Sequence, residues 1–69
     1  MTTIPVTDVQ PGDLLDTRNA VPAGPIVRVG MIARSDDGRV YIAERDPGAL
    51  VPATYAFTAG QRADVYSRA

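Results

Sequence analysis

The chain has 69 residues, a formal net charge of −1 and seven cationic side chains that are all arginine, with no lysine, histidine or cysteine. That length suits one small domain over 1–69, which buries only about 60% of the surface its unfolded chain exposes, so stability is expected from sheet packing or self-association. The missing residue types exclude disulfides and thiolate-bound metals, and remove the commonest general base, nucleophile activator and transition-metal ligand. Near-neutral charge supplies no global field toward nucleic acid or an anionic membrane.

In chain order, Met1-Thr2-Thr3-Ile4-Pro5 lacks the basic and then apolar regions of a signal peptide, and no apolar run approaches the span of a membrane helix. A soluble cytoplasmic protein, or part of a particle assembled inside a cell, is expected. Six prolines and six glycines punctuate the chain and leave little space for a helix of ordinary length. The runs between them read as strands: Ile4 to Val6, Asp13 to Thr17, Ile26 to Ser35, Arg39 to Arg45, Ala53 to Phe57 and Arg62 to Ser67. Gln10-Pro11-Gly12-Asp13 is a turn, with proline fixing φ at the second place and glycine filling the third. Asn19 to Pro25 reads as an irregular loop. Asp46-Pro47-Gly48 opens a second loop that ends near Pro52, and Thr58-Ala59-Gly60-Gln61 suits a single 3₁₀ turn.

The stretch from Ile26 to Arg45 carries the most specific signal. Two runs rich in β-branched residues are hinged at Asp36-Asp37-Gly38, which predicts a β-hairpin. With Asp37 and Gly38 as the central pair of a type I′ turn, Arg34 faces Tyr41 and Ala33 faces Ile42. Alternation then puts Val27, Val29, Met31, Ala33, Val40 and Ile42 on the core face, and Arg28, Arg34, Arg39, Tyr41 and Arg45 on the other. The order of long first loop, central hairpin, short helical turn and last strand predicts an all-β, five-stranded SH3-like barrel. Closure would remove the exposed edges of so small a sheet. An open, strongly bent sheet that dimerises is the alternative.

Two clusters bear on function. Arg28, Arg34, Tyr41 and Arg45 could grip phosphate or carboxylate with their guanidinium forks while the tyrosine stacks on a base. An ordinary solvated sheet face is the competing account, with Asp36, Asp37 and Asp46 near enough to cancel the charge. The second cluster is apolar, from Ala49-Leu50-Val51-Pro52 to Tyr55 and Phe57. Val51 and Phe57 are assigned to the core. Leu50 and Tyr55 are the candidates for exposure and, with Tyr41, form the expected protein-binding residues.

No phosphate-binding loop, dinucleotide fingerprint, EF-hand loop or zinc spacing is present in the sequence. Asp36-Asp37 reads as turn chemistry, because a calcium loop needs a further carboxylate downstream. Ser35 and Ser67 have no histidine or lysine to activate them. No catalytic residue, metal or cofactor is expected.

The segments Val9-Gln10-Pro11-Gly12-Asp13-Leu14-Leu15, Asp37-Gly38-Arg39-Val40-Tyr41-Ile42 and Phe57-Thr58-Ala59-Gly60-Gln61-Arg62-Ala63-Asp64-Val65 resemble a pattern of small SH3-like proteins of actinobacterial phages. The all-arginine, alanine-rich composition is similar too. This resemblance covers most of the chain and implies a viral accessory protein with no catalytic residues. Pro11-Gly12-Asp13-Leu14-Leu15 and the strand from Ile26 to Ala33 are also similar to the opening of the MazF-type ribonuclease toxins. The chain departs from them in being much shorter and lacking the helices that complete their fold and dimer. The expected function is therefore a noncatalytic interaction module that binds a host or virion protein. Binding of nucleic acid or a phosphorylated ligand through the Arg/Tyr face is one alternative. A structural role in a virion, decorating a capsid or joining a tail, with self-association, is the other.

Overall fold

The structure, a computed structural model, describes residues 1–45 and 53–69. Runs of alternating apolar and polar residues form strands β1 (Thr2–Pro5), β2 (Leu14–Asp16), β3 (Ile26–Arg34), β4 (Arg39–Glu44), β5 (Thr54–Thr58) and β6 (Arg62–Ser67). They make one sheet in the order β1-β6-β2-β3-β4-β5, with every neighbouring pair antiparallel. A strand falls within or across each of the six predicted runs, although Val6 belongs to a 3₁₀ turn, so six strands replace the expected five. β1 pairs along its whole length with β6, from Thr2 opposite Val65 to Pro5 opposite Arg62. The sheet is open, with β1 and β5 at its edges.

β3 bends the sheet. Its first three residues pair with β2 and its later ones with β4, and the register slips between Val29 and Met31, leaving Gly30 as an extra residue. A side chain there would start 2.9 Å from the Cα of Arg45 and 3.2 Å from the Ala43 carbonyl oxygen, so glycine suits the bulge. One inserted residue reverses which face each later side chain takes. Val27 and Val29 are buried as expected, but beyond Gly30 it is Ile32 that packs against the core, while Met31 and Ala33 face out. The assignment of Met31 and Ala33 to the core is thereby corrected.

The hairpin turn differs in the same way. The Ser35 N–H donates to the Arg39 carbonyl at 3.0 Å and the Gly38 N–H to the Ser35 carbonyl at 3.1 Å. The loop therefore holds Asp36, Asp37 and Gly38, with Gly38 at φ +86° in the left-handed region. This is a three-residue loop ending in a glycine bulge instead of a two-residue type I′ turn. Arg34 accordingly faces Val40, Ala33 faces Tyr41 and Ile32 faces Ile42. The Asp37 carboxylate selects this loop by accepting the Ser35 hydroxyl and, at 3.2 Å, the Arg39 N–H.

Gln10–Asp13 is the expected turn, closed by the Asp13 N–H to the Gln10 carbonyl at 3.1 Å with Gly12 at φ +94°. The 3₁₀ turn is at Val6–Asp8, following Pro5, and not at 58–61. Thr58 to Gln61 is a β-turn, closed by the Gln61 N–H to the Thr58 carbonyl at 3.1 Å and by the Gln61 side-chain oxygen accepting the Thr58 N–H at 3.3 Å. Inside the bent sheet, Leu15, Val27, Val29, Ile42, Phe57 and Val65 form the centre of the core. No helix among the described residues is long and apolar enough to cross a membrane.

Candidate functional site

The predicted arginine face assembles only in part, because the Gly30 bulge turns Arg34 away while Arg28, Arg39 and Tyr41 stay on the outer face. Arg28 precedes the bulge and points outward. Arg34 follows it, shares the inner side with Val40, and reaches across the rim to donate to the Thr7 carbonyl at 2.6 Å. Most of the arginines serve carbonyls that no strand ladder reaches. Arg28 donates to Gly12 at 2.9 Å, Arg62 to Thr3 at 3.1 Å and Arg68 to Asp8 at 3.2 Å. Arg18 pairs with Asp16 at 3.0 Å, and Arg39 with Asp37 at 3.6 Å. Arg45 stays beside Arg28, its N–H donating to the Arg28 carbonyl at 2.8 Å. The sequence does not show this use, since carbonyls outside ladders become identifiable only once the ladders are known.

Tyr55 is buried, at 6% exposure, and its expected place on a binding surface is corrected. It lies opposite Ile42 on the inner face of β5, and Gly24 makes room for its ring. A side chain on Gly24 would begin 2.9 Å from the Tyr55 Cζ and 2.8 Å from the Thr17 hydroxyl. The alternation Thr54-Tyr55-Ala56-Phe57-Thr58 signalled this, as Tyr55 and Phe57 must share a face. Leu50, the other apolar candidate, lies outside the described residues, as does Val51.

Tyr41 is half-buried on the outer face. Register places Ala33, Tyr41, Ala56 and Val21 in one row across the face, with Met31, Ala43 and Thr54 in the next. Val21 is held beside β5 by two backbone bonds with Ala56, of 3.0 and 2.9 Å. Met31 is 69% exposed and Val21 74% exposed, on either side of Tyr41. Met31 and Tyr41 are diagonal neighbours, about 7–8 Å apart in an antiparallel pair. Next to Tyr41 runs a groove of ≈ 320 Å³ lined by Val21, Arg39, Ala56, Phe57, Thr58 and Gln61. Among its lining residues Arg39 lies opposite Thr58 across the β4–β5 pair, two residues from Ala56. Sequence reasoning missed Met31 and Val21. The one signal for Met31 was Gly30, a residue that often marks a bulge in a strand.

The turn before β2 holds a buried carboxylate. Asp13 accepts the Gln10 N–H at 2.9 Å and the Ala69 N–H at 2.7 Å, and lies 3.4 Å from the Arg68 guanidinium. Burial pushes its pKa up, but the two N–H donors and the Arg68 charge outweigh that and hold the carboxyl below the ordinary aspartate range. Asp37 is also held low, chiefly by the Ser35 hydroxyl and then by the Arg39 N–H. Among the described residues no three carboxylates cluster as metal ligands would. What the outer face offers is apolar contact, a phenol, threonine hydroxyls and the guanidiniums of Arg28 and Arg39. The chain matches no protein-family model, and no curated protein or solved structure matches it.

Proposed function

We propose that this chain is a noncatalytic protein-interaction module of the SH3-like type, an accessory protein of phage origin that binds a host or virion protein on the outer face of β3, β4 and β5. One observation carries the reading. Met31 and Val21 leave most of their surface exposed on either side of Tyr41, over a floor of Ala33, Ala43 and Ala56. A contiguous apolar strip of this kind on a small domain marks an interaction surface, whereas singly scattered apolar residues do not. The occupant that suits it is a protein segment with apolar side chains and an acidic residue placed to meet Arg39 in the groove lining. The weak, solvent-exposed Arg39–Asp37 pair yields readily to such a carboxylate. For the SH3-like part, the support is that β2 to β5 pair in sequence order and β6 returns beside β2, as strands closing a small barrel would.

The test is capture from host lysate with nuclease present, comparing the native chain with a Met31→Asp/Val21→Asp variant of unchanged melting temperature. A discrete protein held by the first and lost by the second is expected. A partner retained by the variant, or one recovered only without nuclease, overturns the proposal.

A further inference from the structure

A second surface, separate from the outer-face groove and independent of the reading above, is built where the Gln10–Asp13 turn meets β3, β4 and the residues after β6. Arg28 Nη1 donates to the Gly12 carbonyl at 2.9 Å. Arg45, bonded through its backbone to Arg28, brings Nη2 to 3.4 Å from the point where a Gly12 side chain would begin. Arg68 places Nε 3.4 Å from an Asp13 carboxylate oxygen while its Nη2 donates to the Asp8 carbonyl. Three guanidiniums thus approach one turn, and the Asp13 carboxylate beneath it is fully buried and already accepts the Gln10 and Ala69 N–H groups.

Each guanidinium has five N–H donors in a rigid fork. One carbonyl bond apiece orients the Arg28 and Arg68 forks and leaves other donors on each for a ligand. Like charges gathered on one exposed corner repel, and an oxyanion set among them removes that repulsion while matching the fork geometry. Gly12 supplies space at the centre and no donor, since its N–H is given to the Val29 carbonyl at 2.8 Å and its carbonyl accepts Arg28. Its φ of +94° disfavours any side chain, and Ala69 walls one side of it. Arg34 and Tyr41 take no part, since Arg34 lies beyond the bulge and Tyr41 belongs to the outer-face row.

We infer that the corner formed by Arg28 and Arg45 beside Gly12, flanked by Arg68, binds a small oxyanion of the phosphate class, such as a phosphate monoester. The experiment titrates the isotopically labelled full chain with inorganic phosphate and, separately, pyrophosphate at low ionic strength, following the Gly12 amide and the arginine Nε–H signals. Saturable shifts confined to Gly12, Arg28, Arg45 and Arg68 are expected, with affinity about tenfold weaker in Arg45→Gln and unchanged in Arg18→Gln. If Arg45→Gln fails to fold, Arg45→Lys keeps the charge, loses the fork and is expected to bind more weakly than the native chain. Non-saturating shifts spread over all the arginines, the mark of an adventitious ion only, overturn the inference. Equal affinity in the Arg45 variants overturns it as well.

Discussion

Asp13 Oδ1 accepts the backbone N–H of Ala69 at 2.7 Å, joining residues 56 positions apart. The other Asp13 oxygen holds the Gln10 N–H and faces Arg68. One buried carboxylate therefore fastens the turn before β2 to the segment after β6, just beyond the β2–β6 pair of Leu14 and Ser67. Burial alone would favour its neutral form. The donors around it reverse that preference.

Asp13→Asn keeps the shape but replaces an accepting oxygen with a donor that faces other donors. It is expected to cost about 1.5–3 kcal/mol at pH 7. Because the folded carboxyl titrates below its unfolded value, its contribution is fully present above the ordinary aspartate pKa. It fades as pH falls through the lower folded value. Urea denaturation of both proteins should thus show a gap that narrows below about pH 4. A gap of the same size at pH 3 and pH 7 would assign the loss to packing instead.

Gly24 and Gly60 make a matched pair. A methyl group on Gly24 meets the buried Tyr55 ring and the Thr17 hydroxyl, so Gly24→Ala should cost about 1–3 kcal/mol. Nothing lies within 4 Å of the Gly60 position, so Gly60→Ala should be neutral or stabilise by up to about 1 kcal/mol through the unfolded chain. Thermal melts decide the matter, and equal losses for the two would contradict the packing around Gly24.

Tyr55 and Met31 exchange the roles expected for them, and stability reads the exchange directly. Tyr55→Ser removes a buried ring and should cost about 3 kcal/mol or more. Met31→Asp, on an exposed position, should stay within about 0.5 kcal/mol. If Met31→Asp unfolded the protein, the outward direction of Met31 and the bulge behind it would both be wrong.

At Gly30 the strain falls on the backbone. Gly30→Ala brings Cβ against Arg45 Cα and the Ala43 carbonyl, at an expected cost of about 1–3 kcal/mol. The bond from the Arg45 N–H to the Arg28 carbonyl lies at the same place. Hydrogen exchange at the Arg45 amide should therefore accelerate more than exchange at Ile42. A uniform rise across β3 and β4 would indicate global destabilisation without local strain.

The sequence by itself determined that the chain is all-β, where the strands lie, and the turn at Gln10–Asp13. Those features are local. Proline and glycine set backbone angles within a few residues, and period-two alternation needs no partner to be read. Tertiary structure alone decided which face each hairpin residue takes. One extra residue at Gly30 and a three-residue loop at Asp36–Gly38 are registers chosen by cross-strand pairing, and each shifts the pattern by one. For the same reason Arg34 left the predicted arginine face, while Arg28 and Arg45 came side by side. A guanidinium goes to the carbonyl or anion within its reach, and that neighbour is supplied by parts of the chain distant in sequence.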